Sequence, residues 1–174
     1  VLGHYLAEKY AESYDHSIPE ELVYSGPHTL TEPTEVEGVD VGKLILSPTR
    51  TYLPMMVPIL HEFRKQINGI IHCSGGAQTK VLHFTDKLHI VKDNMFALPP
   101  LFRMIQESSG TDWKEMYKVF NMGHRLEIYT NEKAAEEMIQ IAKEFNIGAQ
   151  IVGHVEASDK KQLTIKSEFG TFEY

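Results

Sequence analysis

RLEIYTNEKAAEEMIQIAKEFNIGAQIVGHVEASDKKQLTIKS, residues 125–167, passes from alternation to a helical period and back to alternation. Arg125 to Thr130 alternates as a strand does. Asn131 can then cap a helix in which Ala134, Ala135, Met138, Ile141, Ala142 and Phe145 form one apolar stripe, with Gly148 as its stop. AQIVGHVEA (149–157), the turn SDKK and QLTIKS (162–167) read as a hairpin, and TFEY (171–174) as a further edge strand. Strands and helices intermixed in this way predict an α+β fold: a mixed, largely antiparallel sheet with helices packed on its faces.

Upstream, the same reading makes KLIL (43–46) a short strand and SPTR (47–50) a turn. Tyr52, Met56, Leu60 and Phe63 recur at helical spacing towards Gln66, with Pro54 in the first turn and Pro58 at a kink or delay. NGIIHC (68–73) and KLHIVKD (87–93) read as strands. LFRMIQES (101–108), introduced by Pro99-Pro100 and stopped by Gly110, and WKEMYKVF (113–120) read as helices. The opening VLGHYLAEKY looks like a helix already under way, with Leu2, Tyr5, Leu6 and Tyr10 on one face, so the chain is expected to be a fragment. Ser13 to Gly42, rich in Pro, Gly, Thr and acidic residues, has no sustained period and reads as an excursion or linker. Residues 1–42 are therefore expected as helix and excursion, and residues 43–174 as the α+β domain.

Composition narrows the function classes. Seventeen Lys and Arg against twenty-four Asp and Glu give a net charge of −7 without a long block of like charge, which disfavours nucleic acid as a partner. No apolar run approaches the roughly 18 residues of a membrane span, and no basic segment leads into an apolar one. The lone cysteine, Cys73, excludes an intrachain disulfide and suits a reducing compartment, so the cytoplasm is the expected location. It ends an apolar strand, where a small inert core residue is the commoner role than a nucleophile. His72, His83 and His89 lie near it in sequence at spacings that match no zinc pattern, and no metal site is expected in this chain.

Three stretches carry candidate chemistry. HCSGGAQTK (72–80) follows a strand, and Gly75-Gly76 would let the backbone approach an anion while Ser74, Thr79 and Lys80 add donors and a charge. A phosphate cradle and a tight turn both fit it, since it departs from the G-x-x-x-x-G-K-[ST] pattern. In SPTR, Thr49 suits a helix cap, and Arg50 suits either a bidentate clamp or a solvated surface. In FNMGHR (120–125), Asn121 and Gly123 shape a helix-to-strand loop with His124 and Arg125 at its rim, as in a site or in a bland turn.

Taken in order, LSPTRTY (46–52), NGIIHCSGG (68–76), ALPPLFRMIQESSG (97–110), WKEMYKVFNMG (113–123) and IVGHV (151–155) resemble the C-terminal domain of the phosphoribosylformylglycinamidine cyclo-ligase (aminoimidazole ribonucleotide synthetase) family. The resemblance runs from about Leu46 to Val155. It implies a three-layer α+β domain that is the second of two in the whole enzyme. The N-terminal domain, which forms the homodimer and carries most ligands for ATP and Mg2+, lies outside this chain, so the fragment alone is expected to be inactive. The implied reaction closes the ring of formylglycinamidine ribonucleotide, a small-molecule ribonucleotide, at the expense of ATP. Ser74, Gly75 and Gly76 are then expected as a phosphate-facing wall, flanked by Thr49 and Arg50 and edged by Asn121 and Gly123. His72 would orient the loop or substrate.

Three departures from the family pattern stand out. Its third loop glycine is Ala77, its Asn-x-Pro-Arg aligns with Val81, Leu82, His83 and Phe84, and its small apolar-Gly pair becomes His124-Arg125. Lys80 is the nearest substitute for the missing cation. These departures keep a noncatalytic nucleotide- or ribotide-binding module open as an alternative. The other alternative is another ATP-using member of the same superfamily, of the selenophosphate synthetase, amidotransferase or thiamine-monophosphate kinase type.

Overall fold

A computed structural model describes residues 1–48 and 50–174. Thr49, expected as a cap and as a flank of the phosphate-facing wall, lies outside the described residues. The helices in chain order are α1 (Tyr5–Lys9), α2 (Val41–Ile45), α3 (Leu53–Phe63), α4 (Pro100–Ser109), α5 (Trp113–Val119) and α6 (Glu132–Glu144). The strands are β1 (Gly69–His72), β2 (Leu88–Lys92), β3 (Leu126–Tyr129), β4 (Gly153–Ala157), β5 (Gln162–Ser167) and β6 (Gly170–Glu173). Two units form. One comprises Val1–Thr49 and Leu98–Asp112, the other Arg50–Ala97 and Trp113–Tyr174.

In the first unit the opening residues are not helical throughout. Leu2 makes a parallel bridge with His28, and α1 begins only at Tyr5. The bridge is fixed by Gly3 N–H to His28 O at 2.9 Å and His28 N–H to Val1 O at 3.0 Å, so Leu2 pairs with an extended segment instead of starting a turn. The excursion is ordered by similar long-range bonds, among them Val41 N–H to Glu32 O at 2.9 Å and Gly42 N–H to Leu30 O at 2.8 Å. KLIL is not a strand either. Asp40 accepts the Lys43 N–H at 2.8 Å and caps α2, so the local cap overrides the short apolar run. α4 runs as expected from the Pro-Pro pair to Gly110, which takes φ 67° and donates to Gln106 O at 2.8 Å.

In the second unit α3 and α6 pack together. Met55, Ile59 and Phe63 meet Ala134, Met138 and Ala142, with Leu126 and Ile128 of β3 beneath them. The α3 stripe therefore runs through Met55 and Ile59, and the expected Tyr52 and Met56 flank it as partly buried neighbours. Asn131 caps α6 as expected, accepting the Ala134 N–H at 3.0 Å. At the other end Asn146 replaces the expected Gly148 as the left-handed stop. It takes φ 55°, its N–H reaches Lys143 O, and the Ile147 N–H reaches Ala142 O, each at 3.0 Å. The chain leaves the helix axis there, and Phe145 falls off the buried stripe with 39% exposure.

The sheets are mixed and largely antiparallel, as expected. β1 and β3 form an antiparallel pair with Ile71 opposite Glu127, and the second sheet has the order β4-β2-β5-β6. The expected hairpin between β4 and β5 does not form. β2 lies between them, antiparallel to β4 and parallel to β5. β2 buries consecutive residues, Ile90, Val91 and Lys92, so it behaves as an interior strand whose two edges both need partners. The hairpin instead joins β5 to β6, with Ser167 opposite Gly170. Gly153 permits the close approach of β4, because a Cβ there would overlap the carbonyl of Val91.

Candidate functional site

β1 delivers the chain to Cys73, whose N–H reaches Arg125 O at 2.8 Å, and then into three successive residues of positive φ: Gly75 (29°), Gly76 (82°) and Ala77 (41°). Glycine meets this backbone without strain, whereas Ala77 carries its Cβ through it while 2% exposed. A 3-10 turn, Ala77–His83, follows. The Thr79 hydroxyl and N–H both donate to Gly76 O, at 2.8 and 2.9 Å, and close the turn. Lys80 donates to Ser74 Oγ at 3.0 Å, so the charge expected beside the glycines is there. Among the described residues, nothing accepts the N–H of Gly75 or Gly76.

The second expected edge is also a built turn. Asn121 Oδ1 accepts the Gly123 N–H at 2.9 Å, Asn121 O accepts the His124 N–H at 3.0 Å, and Met122 and Gly123 have φ of 53° and 88°. Gln78, absent from the sequence-based candidates, joins the two turns: its Nε2 donates to Asn121 O at 2.7 Å and reaches His124 O at 3.5 Å. Ser74, Gly75, Gly76 and Lys80 thus share one turn that is tied to the Asn121–Gly123 turn. His72 is exposed at the end of β1, and Arg50 is exposed in the same unit. A cleft of about 1400 Å3 is walled by His72, Lys80, Gly123, His124 and Arg125 together with apolar Ile70 and Phe84, while Arg50, Ser74, Gly75, Gly76 and Asn121 are not on its wall.

Beneath the turns lies a charge cluster that sequence reasoning missed. Lys92 of β2, 2% exposed, donates to Gln78 O and Gln78 Oε1, each at 2.9 Å, and to Glu127 Oε1 of β3. Glu127, 6% exposed, also accepts from Tyr129 OH at Oε2 and from the Cys73 thiol at 3.4 Å. His124, expected at the rim, is instead 2% exposed, with Nε2 3.3 Å from Glu127 Oε1 and its ring edge-on to Phe96. Its Nδ1 has no partner among the described residues. The available signal was a lone charge within an apolar run: Lys92 in phase with Leu88 and Ile90 in β2, and Glu127 between Leu126 and Ile128 in β3.

Burial dominates the protonation states. It pushes the Cys73 thiol up to about 12, reinforced by the Glu127 carboxylate. It also holds His124 down at about 4, against the pull of Glu127. Tyr129 is raised by burial and by Glu127, and stays a phenol that donates. Burial opposes ionisation of Glu127 too, but the Lys92 ammonium, with hydrogen bonds from Lys92 and Tyr129, outweighs it and holds the carboxyl below its ordinary value. Donor atoms of Cys73, His124 and Glu127 all lie within 4.8 Å of one another, as metal ligands do. Lys92 already supplies the cation to this trio through Glu127 Oε1, the same carboxylate oxygen that faces His124, so a metal ion would have to displace Lys92.

A family model described as AIR synthase related protein, C-terminal domain, matches residues 21–166. A phosphoribosylformylglycinamidine cyclo-ligase of Methanocaldococcus jannaschii is 31% identical over 118 residues, 68% of this chain and 34% of that protein. The protein of the same name from Syntrophus aciditrophicus is 26% identical over an alignment that covers 95% of this chain and 48% of that protein. The chain therefore spans about a third to a half of the length of these curated relatives. Among solved structures, HypE of E. coli, a hydrogenase maturation protein, superposes with a TM-score of 0.48 at 17% identity over 71% of this chain and 37% of that one. Among the described residues, no helix is long and apolar enough to cross a membrane.

Proposed function

Because the chain belongs to the AIR synthase related protein, C-terminal domain family, we propose that it is the C-terminal half of an ATP-dependent cyclo-ligase. The reaction converts formylglycinamidine ribonucleotide to aminoimidazole ribonucleotide, a step of purine synthesis in the cytoplasm, with release of ADP and phosphate. The observation that carries this reading is the agreement between relatives named for that activity and the Ser74–Lys80 turn, in which two unengaged N–H groups lie beside a cation.

ATP supplies the phosphoryl group that turns the formamide oxygen into a leaving group, and an amidine nitrogen then takes the carbon as phosphate departs. Chemistry of this kind depends on positioning and on donors aimed at phosphoryl oxygens more than on a protein nucleophile. Gly75 and Gly76 offer backbone N–H groups, and the Lys80 ammonium, held by Ser74 Oγ, offers the charge. Asn121 and Gly123 set the facing edge, and His72 and Arg50 flank as exposed donors. Protein nucleophiles are not required, which suits a Cys73 thiol that stays protonated. The ligands of Mg2+ and most of those of ATP, and the homodimer contacts, are assigned to the part of the relatives' length that this chain does not span.

The test is ADP release by the full-length protein with formylglycinamidine ribonucleotide present and absent. Release that requires the ribotide is expected. A folded protein that binds ATP and shows no ribotide-dependent turnover would be a binding module instead.

A further inference from the structure

Lys92 has all three of its N–H groups engaged by Gln78 O, Gln78 Oε1 and Glu127 Oε1. Gln78, fully buried, passes the connection on through Nε2 to Asn121 O and His124 O. A continuous chain of directional bonds therefore runs from the ion pair, through one glutamine, to both turns of the candidate site. Glu127 is tied down in turn by Tyr129, His124 and Cys73, the last of which precedes Ser74 in the chain.

Stability alone is a weak reason to bury such a pair, because apolar residues of similar volume commonly stabilise as well or better. Lys92 already holds the place beside Glu127 that a metal ion would take, and the thiol is not poised to react. What an ion pair has and leucine lacks is direction: an ammonium with fixed acceptors holds them in place. We propose that Lys92, anchored by Glu127, is a positioning residue that fixes the Ser74–Lys80 turn against the Asn121–His124 turn through Gln78. What the positioned wall binds rests on the function proposed above, whereas the positioning does not.

Amide hydrogen exchange on the 174-residue chain tests this. Gln78→Met keeps the ion pair and the Lys92 bond to the backbone oxygen of residue 78, and removes the side-chain relay with its Oε1 acceptor and Nε2 donor. Lys92→Met combined with Glu127→Leu removes both charges and keeps the volume. In each variant the amides of Thr79, Gly123 and His124 should exchange about tenfold faster or more, while those of α6 around Met138 change much less. Unchanged exchange at the three loop amides, or one uniform acceleration through the whole unit, overturns the proposal. Gln78→Met decides the matter by itself if the double variant does not fold. Binding of ATP and of inorganic phosphate to the full-length protein is read separately. Gln78→Met should weaken it about tenfold while the fold is retained. Tight binding in Gln78→Met together with faster loop exchange overturns the phosphate-facing reading of the wall, and the exchange result then stands for the positioning alone.

Discussion

Lys92 and Glu127 neutralise each other across two sheets that share no ladder: Lys92 belongs to β2 of the four-stranded sheet, and Glu127 to β3 of the two-stranded one. The pair is therefore a joint between sheets that, among the described residues, no backbone hydrogen-bond ladder connects. Removing one partner strands the other charge. Lys92→Met should cost about 3–5 kcal/mol in urea unfolding, and adding Glu127→Leu should return most of the loss. Equal stability of the single and double variants would show that the two charges are not coupled.

Acid should weaken the second unit in a defined window. His124 faces Glu127, with Lys92 beyond it and the Phe96 ring at its side, and burial keeps the folded imidazole neutral down to about pH 4. In the unfolded chain the same histidine takes up its proton near 6.5. The unfolded state then binds more protons as pH falls from 6.5 to 4, so stability should decline by roughly 3 kcal/mol over that range. Glu127, held below its ordinary value when folded, adds a further decline below pH 4.5. His124→Gln should flatten the upper part of this slope in denaturant titrations at successive pH values, and an unaltered slope would assign it to other groups.

Cys73 should resist alkylation. With 2% exposure and a thiol pushed up to about 12, it offers almost no thiolate at pH 8. Iodoacetamide labelling followed by mass spectrometry should proceed in the native chain about a thousandfold or more slower than in urea, tracking the rare opening of the core. Labelling at the rate of a free thiol would mean that β1 ends in the open.

Gly76→Val should separate strain from chemistry. The space beside Gly76 is adequate, with Lys80 Cα 3.7 Å from an added Cβ, but φ is 82° and a β-branched side chain suffers there. A loss of about 1–3 kcal/mol is expected with the fold retained. In the full-length protein the same change should raise KM for ATP or ribotide, or lower kcat, and wild-type kinetics would return the loop to the status of a turn.

Local pattern revealed the elements whose signals are local. β1 and β3 were legible as a short apolar run and an alternating one, and α6 because a capping asparagine and a helical stripe coincide in it. KLIL misled because four apolar-rich residues have no period of their own, and Asp40 just ahead of them decided the matter. The place of β2 between β4 and β5 was invisible, since a hairpin and an interposed strand leave the same alternation in sequence. Within the site, the grouping of Ser74, Gly75, Gly76 and Lys80 was legible from their adjacency. Gln78, Lys92 and Glu127 were not, because a single polar residue in a turn or strand reads as solvent-facing until a distant partner buries it.

The interposed strand also sets an order in time. Both neighbours of β2 come from residues more than sixty positions further along the chain. During synthesis β2 waits with two bare edges while α4, α5, β3 and α6 are made, and loop closure over that distance makes its pairing slow. The β4 edge can be sealed only after Ala157 has left the ribosome and the β5 edge only after Ile165 has, so the middle of the four-stranded sheet is made early and completed late.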